Sequence, residues 1–531
     1  MELRPGRACA ECGRMLRVRK TVNRRVMTPA GARRVRERVC ACPVHRKLVR
    51  HEPRLTPYGS GYTFGLIAEI GKLRYLQHRQ ISEICRTMKG QGVRIPARTA
   101  DWLCRLFLRY FAAVHIESAP AIRELLERQG GYVLILDGTG HHGPMVMQMR
   151  DGWSGIQLLS GSVRLESDDE IVPYLKMLNG LFGRPVAAVR DMGSGETSAL
   201  KQVFPGMYVI TCHFHFLRAA GWKLFEPIYP NFRSKIERTG LKKRMRHLMR
   251  VIASGLYTGK EAAHALELCR WIFKYRKDGT GMGYPFSLPA LDFYMRCEKV
   301  RRELLETVDM GGPRRGKTLR RLLVLLNRLY PPPATLRSID RDAKALIERV
   351  EWFDRIRRVL RYRNGPVPLS TKHKLSETAV EKGRRRLNWL RSVIAIELKS
   401  GGDARSRELH RTLRSIGGDL ADRMDELFAP NVVVQTEDGP AVRPLPRTIS
   451  GAETDFRHLR RHSRRITGNA HVDDQVQNEG PGMLLLENLR NSTYVGEVYG
   501  SISNLPKRFS TVSQKSLEDA KKILQCAGTN E

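Results

Sequence analysis

The most regular alternation of apolar and polar positions lies between residues 132 and 215. Apolar runs at 132–136, 145–149, 156–165, 185–189 and 207–211 each have the length of a strand, and glycines and short polar turns separate them. Between the third and fourth runs, Ile171, Val172, Leu175, Leu178, Leu181 and Phe182 recur at helical spacing, which predicts a helix over 170–182. Upstream, 64–75, 80–88 and 96–107 read as helices, with Gly90 and Gly92 marking a turn and Pro96 near a helix start. From about 223 to 435 the period is 3.6 throughout, as in Leu322 to Leu326 and in Ile347, Val350, Trp352, Phe353 and Ile356. Gly279 to Gly283, Gly311 to Pro313 and Pro331 to Pro333 punctuate this stretch, which predicts six to eight helices. Further helices are expected at 454–466, 484–499 and 515–526.

Three strands in a meander, a crossover helix and two more strands is the order of an RNase H-like sheet. Its first strand delivers Asp137 and its fourth delivers Asp191, each followed closely by glycine. Carboxylates at the ends of adjacent central strands lie at the rim of the sheet, where open α/β folds bind ligands. Either alone reads as an ordinary turn residue. Together they repel each other unless a hard cation sits between them.

Composition narrows the partners. The chain has 531 residues, enough for roughly three domains. Hydrophobic residues make up 41%, which argues against wholesale disorder, and the formal net charge of +39 makes a polyanion, nucleic acid, the expected partner. No apolar run is long enough to span a bilayer, so a membrane is not expected. Arg4, Arg7 and two cysteines stand where a signal peptide would be apolar, which suggests a cytoplasmic, nucleoid-associated prokaryotic protein with reduced thiols.

Cys9-x-x-Cys12-Gly and Cys40-x-Cys42-x-x-His45 form two knuckles separated by an arginine-rich loop, with five candidate Zn²⁺ ligands in under fifty residues. Which of Cys40, Cys42 and His45 complete the set is open at this level. Free thiols in a basic arm are the plain alternative. The short helix, glycine turn and longer helix at 80–107 fit a helix-turn-helix with Arg94, Arg98 and Thr99 towards the DNA groove; a plain helical bundle is the alternative. Cys212 and His215, after the fifth strand, have poor spacing for tetrahedral zinc and suit a positioning role near the carboxylates. Glu453 precedes a basic helix on which Arg457, Arg460, Arg461, Arg464 and Arg465 recur at helical spacing. Glu479 and Glu487 compete with Glu453 as a third carboxylate.

On these residues the chain resembles the DDE transposases of bacterial insertion sequences, with relatives among the Mutator-like elements. Family members carry aspartates after the first and fourth strands, here Asp137 and Asp191, and many carry a Cys/His pair beyond the second, here Cys212 and His215. Their Arg-Thr-Asn-Asn-x-x-Glu reads here Arg447-Thr-Ile449-Ser450-Gly-Ala-Glu453, with both asparagines replaced, and is followed by Arg464-Arg465-x-x-Gly468. The resemblance implies a multidomain chain, α/β plus all-α. A zinc-ribbon-like basic domain would occupy 1–52 and a helix-turn-helix domain 53–118. An RNase H-like core over 130–222 and 441–505 would be interrupted by an all-helical insertion at 223–440, with a tail at 506–531. It also implies Mg²⁺ (or Mn²⁺) held by Asp137, Asp191 and Glu453, two ions about 4 Å apart, that support cleavage and strand transfer without a covalent protein–DNA intermediate. Double-stranded DNA, both element ends and target, would be the partner of a homo-oligomer. The rival readings are a DNA-binding repressor or inactive copy, and an RNase H-like nuclease that cuts without joining.

Overall fold

In the computed structural model, the arginine-rich residues 17–41 are not a loop but a long antiparallel hairpin of β2 (Arg17–Thr28) and β3 (Gly31–Ala41). β1 (Glu2–Leu3) pairs parallel with β3, and β4 (Leu48–Val49) antiparallel with it. The arginines alternate with β-branched residues that fit a pleated surface. Val26 and Val35 pack with Leu3 and Leu55 beneath the hairpin. Glu37, 5% exposed, faces Arg24 at 3.6 Å, whereas Arg17, Arg19, Arg25, Arg33, Arg34 and Arg36 are exposed.

The structure describes residues 1–140, 145–274, 288–308, 317–330, 333–360, 375–400, 404–469 and 479–524, and the chain folds into two compact units. The first is built from Met1–Ile210 and Asn431–Glu531, the second from Thr211–Ser370 and Leu375–Pro430. The punctuating segments Gly279–Gly283 and Gly311–Pro313 lie outside the described residues.

At the centre of the first unit is a five-stranded sheet in the order β7-β6-β5-β8-β9, with β5 Val133–Thr139, β6 Met145–Asp151, β7 Gln157–Val163, β8 Ala187–Arg190 and β9 Tyr208–Thr211. β5, β6 and β7 form an antiparallel meander, while β8 runs parallel to β5 after the crossover helix Asp168–Phe182. The helix Ser194–Val203 then leads to β9. Strand β7, at one edge of the sheet, is buried along its whole length.

What buries β7 is the segment expected as a single helix over 484–499. It is a 3₁₀ run, Pro481–Arg490, followed by a short helix, Ser492–Tyr499, that Asn491 caps by accepting from the Thr493 and Tyr494 amides. Nearly every residue of the 3₁₀ run is buried, including Leu484, Leu485 and Leu486, so no amphipathic α-helix would suit it. Its Asn488 completes the sheet edge: Oδ1 accepts from the Gln157 amide at 2.7 Å and Nδ2 donates to the Gln157 carbonyl at 2.8 Å.

The N-terminal helices of this unit are Phe64–Gly71, continued by a π-helical turn Lys72–Leu76, then Ile81–Gly90, Ala97–Glu117 and Ala119–Arg128. Helix 97–117 does not stand apart. Its Phe107 meets Phe509 edge-on at 5.5 Å between ring centroids, and its Phe111 stacks near Tyr499. Buried His115 on the same helix accepts from the Tyr494 hydroxyl (3.0 Å) and bonds the Leu158 carbonyl (2.9 Å). Since that carbonyl can only accept, Nε2 carries the proton.

The described helices of the second unit run from His213–Phe225 to Met424–Leu427. Leu322 and Leu326 are buried on one helix, and Trp352, Phe353 and Ile356 on another. Arg349, 1% exposed, spans its interior from the Leu224 carbonyl (3.3 Å) to Glu408 (3.6 Å). No described helix is long and apolar enough to cross a membrane.

Candidate metal centres

Two knuckles with the same backbone geometry flank the β2–β3 hairpin. In the first, the Gly13 amide bonds the Cys9 carbonyl and the Cys9 amide bonds the Arg14 carbonyl; in the second, Arg46 and Cys42 do the same with Cys42 and Lys47. The residue after each second ligand is left-handed, Gly13 at φ 68° and Arg46 at φ 55°. The turns bring Cys9, Cys12, Cys42 and His45 together as a group that could hold a metal ion. Cys9 Sγ and Cys42 Sγ each lie 3.6 Å from His45 Nδ1, and Cys12 Sγ lies 3.6 Å from Cys42 Sγ. Sulfur and nitrogen donors around one tetrahedral zinc stand about 3.5–3.8 Å apart, so these edges have the right length.

Cys40 is outside the group. It sits within β3, paired with Val18 and Val49, and its buried thiol serves the small core. The backbone amides of Glu11 and Cys12 hold the Cys9 thiol below its usual pKa, and that of His45 does the same for Cys42. Cys12 is pulled down by the Arg14 amide, but burial and the neighbouring Cys42 and Cys9 thiols outweigh it and raise it. Three thiols this close cannot all ionise without a cation among them.

A cluster of carboxylates lies at the ends of β5 and β8. Val133 is opposite Ala187 and Ile135 opposite Val189; continued two residues, that register brings Asp137 level with Asp191. Asp137 is buried, its Oδ1 accepting from the Gly138 amide at 3.0 Å. Asp191 is half-buried and accepts from the Gly193 amide at 2.6 Å. The helix Ser450–Thr467 begins four residues earlier than its apolar pattern suggests, so Glu453 lies in its first turn, half-buried. Two carboxylates that the sequence did not single out join these three. They are solvent-facing Glu166, beyond β7, and fully buried Glu196, in the first turn of helix 194–203.

The five charges work against one another. Burial pushes the Asp137 carboxyl well above its ordinary range, and the charges of Asp191, Glu453 and Glu166 add to the effect. Glu196 is likewise raised by burial and by Asp191 and Asp137, and Glu166 by burial and Asp191. Like charges gathered in this way are relieved by protonation or by a nearby cation.

The remaining acidic candidates are engaged elsewhere. Glu479 forms a buried ion pair with Arg74 at 2.9 Å, each side chain 7% exposed. Glu487 accepts from His458 Nδ1 at 2.9 Å and faces Arg490 at 3.3 Å. Asp455, His458 and Glu487 are close enough together to be a possible second metal group. However, Asp455 Oδ2 already accepts from Gln148 (2.7 Å), Gln157 (2.6 Å) and Arg150 (2.5 Å). A metal there would have to displace a guanidinium, so the group reads better as the dock that fastens helix 450–467 to β6 and β7.

Arg457, Arg460, Arg461, Arg464 and Arg465 are all exposed. Arg460 reaches Thr139 at the end of β5 (3.5 Å), and Arg465 pairs with Glu83 at 2.7 Å. Arg94 and Arg98 are exposed and Thr99 half-buried around the connection between helices 81–90 and 97–117. Cys212 and His215 belong to the second unit. Cys212 is buried ahead of helix 213–225, and His215 is half-buried. The neighbouring His213 bonds the Leu427 carbonyl at 2.7 Å and lies against Phe428.

No protein-family model and no curated protein matches this chain.

Proposed function

We propose that the first unit is a metal-dependent phosphoryl transferase acting on double-stranded DNA, a transposase of the DDE type. The observation that carries the reading is the convergence of Asp137, Asp191 and Glu453 at one end of the sheet beside an exposed arginine face. The strand order and the parallel β5–β8 pair support an RNase H-like core, and the helical unit between β9 and β10 (Val432–Thr436) supports an insertion. The knuckle donors fit zinc by element and spacing, and the mutual repulsion of the carboxylates fits a divalent cation such as magnesium or manganese.

Magnesium, when bound by Asp137, Asp191 and Glu453, would neutralise the phosphate charge that builds up in the transition state and lower the pKa of an attacking water or 3′-hydroxyl. The chain's own groups do the rest. The β5–β8 register fixes the two aspartates, and the Asp455 dock fixes the helix that carries Glu453. Arg457, Arg461 and Arg464, at intervals of three and four on one helical face, hold the DNA backbone alongside without reaching between the carboxylates. The exposed hairpin arginines and the Arg94–Arg98 surface add sequence-independent and sequence-reading contacts respectively.

The test is a comparison of cleavage and binding in the same preparations. Asp137→Asn, Asp191→Asn and Glu453→Gln should each slow Mg²⁺-dependent strand cleavage by at least ~10²-fold and leave DNA binding intact. A wild-type chain that binds DNA but never cuts it would replace this reading with that of a DNA-binding repressor.

A further inference from the structure

We infer that the outer face of the β2–β3 hairpin enters the major groove of duplex DNA and reads base edges there, with Arg25, Arg34 and Arg36 on guanine and Asn23 on adenine. The inference rests on the DNA-binding part of the proposed function and goes beyond backbone contact at the hairpin.

The two faces of the hairpin are built differently. The inner face carries Val26 and Val35, packed on Leu3 and Leu55, and its Arg24 faces Glu37 at 3.6 Å and donates to Thr56 Oγ1 at 2.8 Å. On the outer face Thr21, Asn23, Arg25, Arg34 and Arg36 are exposed, and the register sets Arg25 directly opposite Arg34 and Asn23 opposite Arg36. Arg38, at the far end of this face, is neutralised by Glu2 at 2.6 Å. Among the described residues no carboxylate pairs with Arg25, Arg34 or Arg36. Like charges directly opposite across two strands are destabilising, so this face calls for an anion from outside the chain. Asn23, Arg25, Arg34 and Arg36 line a concave surface that can receive one.

Dimensions and residue types select the partner. The strands of an antiparallel ribbon stand about 4.8 Å apart, and such a ribbon fits the B-DNA major groove, about 12 Å wide, but not the deep, narrow major groove of A-form RNA. Alternate residues on one strand, such as Asn23 and Arg25, are about 6.8 Å apart, which matches two base-pair steps of about 3.4 Å. Neutralising phosphate needs only charge, which lysine supplies equally well. Here the cations are all arginines, whose planar fork matches guanine O6 and N7, and neutral Asn23 beside them matches adenine N6 and N7. Arg33, opposite Val26, and Arg17, opposite Ala41, lie off this face and suit phosphates.

The test begins with the full-length, zinc-loaded chain selecting duplexes from a random-sequence pool. Single guanines of the selected duplex are then replaced by 7-deazaguanine, which removes only the N7 acceptor in the major groove. Wild type should select a sequence containing guanines whose replacement weakens binding by about tenfold. Arg25→Lys and Arg34→Lys keep the charge and lose the fork. In each, the dependence of affinity on salt should stay as in wild type, while replacement of at least one of those guanines should change binding by about twofold or less. Zinc content and melting temperature check that each variant keeps its hairpin. Selection without sequence preference, lysine variants as sensitive to 7-deazaguanine as wild type, or an A-form RNA duplex that competes as well as the selected DNA would overturn the inference. The two readings fail separately. A chain that reads guanine through these arginines but never cuts DNA keeps this inference and loses the transposase. One that cuts DNA while both lysine variants keep wild-type sensitivity keeps the transposase and loses the base reading.

Discussion

Replacing Asp455 by asparagine should loosen helix 450–467 from the sheet. Its Oδ2 accepts from Gln148, Gln157 and Arg150, and Asp455 is 6% exposed. Asparagine keeps an acceptor for the two amides but leaves Arg150, whose side chain is 17% exposed, without its counter-ion. Breaking a buried pair on one side costs about 3–5 kcal/mol, and the partial exposure of Arg150 places this case at about 3 kcal/mol. A chain of two units need not unfold in one step, so the effect is best read locally, by hydrogen exchange of peptides from 450–467 and 145–163. At about 1.4 kcal/mol per decade, exchange through local opening should speed up by roughly 10²-fold. Removing the stranded charge as well, in Asp455→Asn with Arg150→Met, should recover at least half of the loss. Exchange rates within threefold of wild type in the single variant, or no recovery in the double, would refute the docking role.

Three further outcomes follow from named contacts. The purified chain should carry one zinc, which Cys9→Ser with Cys12→Ser removes and Cys40→Ser leaves in place; elemental analysis reads both, and loss of zinc on changing Cys40 would overturn the ligand set. His115 is pulled down to about 4 by burial, so it is neutral in the folded chain and charged in the unfolded chain below pH 6.5. Stability that is fully present above pH 6.5 is therefore lost as pH falls towards 4, by about 3 kcal/mol in all, and His115→Gln should flatten that part of the melting-temperature profile; an unchanged profile would contradict it. Glu479→Gln should destabilise the chain by stranding Arg74 yet keep Mg²⁺-dependent cleavage, and loss of cleavage with an intact fold would move the third carboxylate from Glu453 to Glu479.

The central sheet was legible because most strands carry short apolar runs closed by glycine or a turn, and burial favours that pattern. The β2–β3 hairpin was not, because arginines occupy most positions between its valines and hide the alternation; only Val26, Val35, Glu37, Val39 and Cys40 are buried. The 3₁₀ run at 481–490 was misread as a helix because buried leucines in succession carry no period that separates one tight helix from another. Cys42 and His45 could not be preferred over Cys40 from spacing alone, since the choice depends on where β3 ends. Strand order and the family resemblance drew attention to Asp137, Asp191 and Glu453. Glu166 and Glu196 were not, because their convergence is a tertiary property; the one trace in the sequence is the pair of glycines in Asp191-Met-Gly193-Ser-Gly195-Glu196, which clears space for them.

Strand joining tests the central claim most directly. A duplex with a free 3′-hydroxyl at an element end, incubated with the full chain, Mg²⁺ and a supercoiled plasmid, should become covalently joined to the plasmid. Wild type should give joined product, and none should form when the end carries a 3′-deoxy terminus or in Glu453→Gln. Joining that persists in Glu453→Gln, or a wild-type chain that never joins or cuts under these conditions, would contradict it.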